Sequence, residues 1–320
     1  MTHQRRLGFN IRALWWGGAL ILSLAIGTAS AAAEAQSSQG DASKTVSNPA
    51  EPEGALSHRL KEQLVNLKNS PWAILPYRPN YILPLTYMSK PNEQPYEQAT
   101  GQPVHLDNTE VKYQISFLVP VWSNLFGSKL SLFGGYTQVS VWQAYNSQSA
   151  PFRDTNYEPE AILMYPVNYK LLGFNVNYTT LSFTHQSNGR GLDALSRSWN
   201  RIIATVAMER GNLAVVIRPW WRIPESEADD NNPGIDRYAG YGDLRAAYKM
   251  GHQVIAGTLR NNLRTDGNKG SIQLDWSFPL PWETPLKGYF QYFNGYDETL
   301  IDYNQQHERI GVGVLLSDWL

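Results

Sequence analysis

From about residue 80 to the C-terminus, apolar and polar residues alternate with a period of two, in segments of about nine to fourteen residues separated by turn residues. In one of them Val111, Tyr113, Ile115 and Phe117 fall on one face and Lys112, Gln114 and Ser116 on the other. The segments lie at 80–88, 109–121, 129–142, 156–168, 173–187, 198–209, 212–223, 238–250, 252–263, 270–279, 286–296 and 308–318, twelve in all and so an even number. Short separators (124–128, 210–212, 250–252, 266–270) mostly alternate with long polar stretches (89–108, 146–155, 188–197, 224–236). That is the signature of an antiparallel up-and-down meander. Strands of a soluble sandwich run to about five or six residues, whereas a membrane-spanning strand needs about nine to eleven. The pattern therefore predicts an all-β fold, a twelve-stranded antiparallel transmembrane β-barrel over 76–320, with a large periplasmic all-β domain as the competing reading. Aromatic residues near segment ends (Tyr81, Trp122, Trp142, Trp199, Trp220, Trp221, Trp276, Trp282, Tyr292) are expected to form the interfacial girdles of such a barrel.

The N-terminus has a different character. Arg5, Arg6 and Arg12 precede an apolar run from about Ala13 to Ile26, and small residues then offer cleavage sites at Ala29-Ser-Ala31 or Ala33-Glu-Ala35. Residues 1–35 thus read as a cleaved export signal; an uncleaved anchor is the alternative, opposed by the glycines that interrupt the run. Residues 36–75 read as a disordered, variable segment, in which His58 to Leu67 could form one short helix with Leu60, Leu64 and Leu67 on a face. A formal charge of −1 gives no electrostatic case for nucleic acid as a partner. The absence of cysteine excludes disulfides, thiolate metal sites, a cysteine nucleophile and a lipidated N-terminal cysteine.

Candidate chemistry concentrates in one place. His185, Ser187 and Asn200 lie within sixteen residues, at the ends of two alternating segments joined by a polar loop. Parity puts His185 and Ser187 on the face of Leu181 and Phe183, and Asn200 on that of Ile202, Ala204 and Val206. If the barrel is right, that face meets lipid. Polar groups there are costly away from the interface, and a catalytic site on it implies a lipid substrate. A serine hydroxyl needs a base to take its proton, and the base needs a third group to fix its tautomer. Asparagine can orient an imidazole but brings no charge to stabilise imidazolium. In the general triad, replacing Asp by Asn costs about 10⁴ in rate, so a cation at the oxyanion site is an obvious compensation.

The block from His185 to Arg190 (H-x-S-N-G-R), followed by Ser196 to Arg201 (S-R-S-W-N-R), resembles the active-site block of the bacterial outer-membrane phospholipase A family. The stretches Pro151 to Pro159, Tyr289 to Tyr303 and Gly311 to Val314 also look like the family, so that the resemblance covers the chain from about residue 75 onward. It implies a twelve-stranded barrel that hydrolyses acyl esters of phospholipids and lysophospholipids. Ser187 would be the nucleophile, His185 the base and Asn200 the orienting residue, with the Gly189 N–H at the oxyanion site. It also implies a Ca²⁺ requirement and a homodimer in the membrane. By motif position Ser149, Arg190 (through its carbonyl), Ser196 and Asp230 fall on the metal ligands, and Gln138 on a polar dimer contact. The chain departs from the family pattern by one additional residue between Arg190 and Ser196, and by the run Asp229-Asp-Asn-Asn232, which leaves the metal position open among 229–231. A plain Asx-rich turn is the alternative for that run. A non-enzymatic channel or scaffold barrel is the alternative for the whole.

Overall fold

No helix among the described residues is long and apolar enough to cross a membrane, so the backbone polar groups of a spanning chain must pair between strands, and the strands must close on themselves. The structure, a computed structural model, describes residues 54–70, 73–191 and 194–320; the expected signal segment and residues 36–53 lie outside them. Twelve antiparallel strands form the wall: β1 (Asn80–Met88), β2 (Thr109–Trp122), β3 (Ser131–Trp142), β4 (Phe152–Leu171), β5 (Phe174–Ser187), β6 (Ser198–Arg210), β7 (Leu213–Arg222), β8 (Gly242–Met250), β9 (Gln253–Asn261), β10 (Gly270–Pro279), β11 (Lys287–Gly295) and β12 (His307–Ser317). Each pairs with its sequence neighbours, and β12 returns to β1 through Arg309↔Met88 and Val312↔Leu85, which closes the barrel. A two-residue bridge at Leu75–Pro76 adds to β2. Every expected segment became a strand; the widest departure is β4, which runs to 20 residues.

Alternation sorts the side chains as the pattern requires. On β5, Leu181 and Phe183 are 52% and 46% exposed, while Ser182 and Thr184 between them are 3% and 0% exposed. The inward face carries charge, and the charges pair. Arg78 reaches Glu158 at 2.5 Å and Glu160 at 2.6 Å, Arg245 reaches Asp243 at 2.8 Å, and Lys112 bonds Gln291 and Glu298, both at 2.7 Å. A buried charge is tolerable only when paired and hydrogen-bonded, so this network makes the lumen a packed polar core.

Three of the aromatic residues expected in the girdles point inwards instead. Tyr81, Trp199 and Trp220 are buried, whereas Trp122, Trp142, Trp221, Trp276 and Trp282 are exposed as expected. The reason is parity: position along a strand and face of a strand are independent, and these three occupy inward positions. There the indoles of Trp199 and Trp220 donate to Gln186 at 2.8 Å and to the Gly240 carbonyl at 3.0 Å, and the Arg201 guanidinium lies 4.1 Å from the Trp199 ring centre.

The segment expected to be unstructured contains a second difference. Residues Ala55–Asn69 form helix α1, longer than the short helix expected from His58 to Leu67. Its weak apolar face finds a partner only in the tertiary fold: Leu56 and Leu60 pack on Ala207, Ala214, Tyr178, Val216 and Leu320. The Glu209 carboxylate accepts from the Leu56 and Ser57 amides at 2.8 and 3.1 Å, an anion at the positive end of a helix. The Ala55 amide bonds the Gly211 carbonyl at 3.1 Å, so α1 sits at the short-turn end.

Candidate active site

The site lies at the opposite, long-loop end, where β5 passes through residues 188–197 into β6. The strand register places His185 directly across from Asn200, and Ser187 across from Ser198 on one side and Tyr157 on the other. His185 Nδ1 and Asn200 Oδ1 are 2.9 Å apart. Ser187 stands two residues from His185 on the same outward face, so base and nucleophile are presented together at the rim of the apolar surface. All three side chains are half-buried.

The loop between them is stitched by a residue to which the motif assigns no role. Asn188 is buried; its amide donates to the Leu195 carbonyl at 2.7 Å, its side-chain oxygen accepts from the Arg197 amide at 2.9 Å, and its own N–H bonds the Arg197 carbonyl at 3.0 Å. This clamp lets the chain turn at Gly189, whose φ of +66° is left-handed. A Cβ there would stand 2.7 Å from Tyr157 Cε2, so both conformation and space require glycine.

Of the residues matched to metal ligands, the loop brings two together: Ser196 Oγ is 3.3 Å from the Arg190 carbonyl. The Arg190 guanidinium points elsewhere, donating to the Arg153 carbonyl at 3.0 Å. Asn231 also reaches this spot, its amide 3.4 Å from Ser196 Oγ and its carbonyl accepting from the Ser198 N–H at 2.7 Å. Asp230 does not: its carboxylate is held by Arg222 at 2.7 Å and by the Asn232 N–H at 3.1 Å. Ser149 is exposed on the β3–β4 loop, its N–H 3.4 Å from Asn146 Oδ1, with no hydrogen bond to Arg190 or Ser196. A hard cation takes oxygen ligands, and a converging carbonyl and hydroxyl fit one. Gln138 faces outwards on β3, bonded to Tyr136 at 3.0 Å and Ser140 at 3.1 Å.

Two stretches that looked family-like meet in space. Asn156 and Asp154 accept from the Leu300 and Ile301 amides at 2.9 and 3.1 Å, and Arg153 pairs with Asp302 and, at 2.7 Å, with Glu110. They seat the β11–β12 loop beneath the β5–β6 loop. Burial alone would raise Asp302, but the Arg153 charge holds it below the usual carboxylate range.

One carboxylate stands behind the trio. Glu225, on the β7–β8 loop, accepts from the Asn200 amide at 3.2 Å. Burial pushes it above the ordinary glutamate value, against the pull of Arg222. Nothing in the sequence marks it, since its partner lies 25 residues away.

The phospholipase A1 family profile matches residues 56–316. The chain belongs to this family. Phospholipase A1 of Klebsiella pneumoniae is 36% identical over 254 residues, which cover 78% of this chain and 84% of that protein. Outer membrane phospholipase A from Escherichia coli superposes with a TM-score of 0.70 at 34% identity, covering 79% of this chain and 95% of that one. The Salmonella typhi outer membrane phospholipase, solved as a dimer with bound calcium, matches with the same score and identity over 80% of this chain and 96% of its own. As a phospholipase A1 family member, the protein is an ester hydrolase of the outer membrane, and its barrel is the family fold.

Proposed function

We propose that this phospholipase hydrolyses the acyl esters of phospholipids and lysophospholipids, at either acyl position, by a Ser187–His185–Asn200 mechanism, with Ca²⁺ and as a homodimer. The observation that carries the reading is the 2.9 Å pairing of His185 with Asn200 on the outward face beside Ser187: a lipid-facing base with an orienting partner is chemistry a channel does not need. Asn200 Oδ1 holds the imidazole, leaving Nε2 to take the Ser187 proton as Oγ attacks the ester carbonyl. The same nitrogen then returns the proton to the leaving alcohol, and water repeats the cycle on the acyl-enzyme. The Gly189 N–H, outside the strand ladder at the turn, is the donor to the developing oxyanion.

The Arg190 carbonyl and Ser196 hydroxyl are the ligands this chain would offer Ca²⁺ from one loop, and the bound ion would supply positive charge to stabilise the oxyanion. Ser149, not hydrogen-bonded to them inside the subunit, would serve from a second copy, which ties metal binding to dimerisation. Asp230 would first have to release Arg222. Gln138, polar on the outward face, is a candidate contact between copies. Residues 1–35 are proposed as the cleaved export signal. The test is fatty-acid release from phospholipid mixed micelles with calcium titrated in. Ser187→Ala, folded and heat-modifiable like the wild type, is expected to be inactive; release at the wild-type rate would end the proposal.

A further inference from the structure

The chain of contacts behind His185 continues past Asn200. A carboxylate oxygen can only accept, so the part of Asn200 lying 3.2 Å from Glu225 Oε1 is its NH₂. Its carbonyl oxygen therefore faces His185 Nδ1 at 2.9 Å, and since that oxygen also only accepts, Nδ1 carries the proton. Nε2 is left basic, the nitrogen that can accept a proton. With no carboxylate at 225, both amide orientations are open. The flipped one presents NH₂ to Nδ1 and puts the proton on the wrong nitrogen.

Glu225 is built into this position. The Ile223 N–H donates to the backbone carbonyl of Asn200 at 2.8 Å, one rung beyond the end of β7, and fixes the chain two residues before Glu225. Arg222 lies 3.8 Å from Glu225 Oε2 and is itself anchored on Asp230 at 2.7 Å and Asn232 at 3.2 Å. Glu225 Oε2 is sealed from solvent without a hydrogen bond, so the carboxylate is turned in rather than solvated. Its neighbours on the loop behave otherwise: Glu227 and Asp229 are exposed, and Asp229 merely accepts from Ser226 at 2.6 Å.

We propose that Glu225 is a positioning residue for the hydrolysis: it locks the amide orientation of Asn200 and supplies, one link behind, the negative charge that an asparagine-based triad lacks. The inference rests on the Ser187–His185–Asn200 reading. The titratable groups facing Glu225 are Arg222, Asp230 and His185.

The test is the isosteric Glu225→Gln in the full-length enzyme, assayed on mixed micelles across pH. The kcat is expected to fall roughly tenfold with KM unchanged, since one charge acts across one amide in a partly screened site. Losing a negative charge disfavours imidazolium, so the acidic limb of the kcat profile moves down by about half a pH unit. Glu227→Gln, two residues on, should behave as wild type. In an Asn200→Asp background, where the charge already touches the ring, Glu225→Gln should cost nothing. Wild-type kcat with an unmoved limb would overturn the proposal, as would an equal loss in the Asn200→Asp background. If Ser187→Ala is inactive while Glu225→Gln is indifferent, only the role of Glu225 fails; an active Ser187→Ala removes the triad itself.

Discussion

Replacing Gly189 by alanine perturbs two things at once. The φ of +66° becomes strained for a residue with a Cβ, at about 1–2 kcal/mol. The added Cβ also meets the Tyr157 ring at 2.7 Å (Cε2), 3.3 Å (Cδ2) and 3.7 Å (Cζ). The ring stands on β4 directly across from Ser187, so either the ring or the Gly189 peptide must give way beside the nucleophile. The softer response is for the Gly189 peptide to shift by several tenths of an ångström, taking its N–H out of line with the oxyanion. Loss of one oxyanion donor costs about 2.7–4 kcal/mol, or 10² to 10³ in kcat. Gly189→Ala is therefore expected to lower kcat by about a hundredfold, with KM within about twofold of wild type. The assay is initial fatty-acid release from mixed micelles over a range of substrate. Removing the ring separates the two costs. Gly189→Ala/Tyr157→Ala, compared with Tyr157→Ala alone, keeps the φ strain, which lowers stability by about 1–2 kcal/mol, but should recover kcat to within roughly tenfold of the single variant. A Gly189→Ala enzyme with wild-type kcat would refute the reasoning.

Chelating calcium should abolish turnover and shift the protein from dimer to monomer on crosslinking. Ser149→Ala should weaken both without disturbing the monomer's heat-modifiable mobility, and full activity in chelator would contradict the metal assignment. Arg153→Ala leaves Asp302 buried without its arginine and Glu110 with Arg309 alone and should destabilise the barrel by about 3–5 kcal/mol in urea unfolding from detergent. Because Asp302 is held below its unfolded value, its contribution is full above about pH 4 and is lost as pH falls through the depressed value; Asp302→Asn should remove that acid dependence.

The wall of the barrel is legible in the linear pattern. Period-two alternation is a local property, and each strand's inward and outward faces were readable because lumen and lipid are opposite solvents: Ser182 and Thr184 face one, Leu181 and Phe183 the other. The outward direction of His185, Ser187 and Asn200 followed from the same parity. Other features depend on contacts that parity cannot express. Tyr81, Trp199 and Trp220 sit at strand ends yet point inwards, because height in the membrane and face of the sheet are separate coordinates. Helix α1 gains its order from Ala207, Ala214 and the Glu209 carboxylate, all far away in the chain. The support of the site is likewise non-local. Arg153, Asp154 and Asn156 meet residues 300–302 only once the barrel closes, Asn231 rather than Asp230 arrives beside Ser196, and Glu225 reaches Asn200 from another loop. A short motif records which groups do chemistry. What orients and charges those groups comes from strands and loops that the closure of the sheet brings alongside them, and a linear pattern carries no trace of that distance.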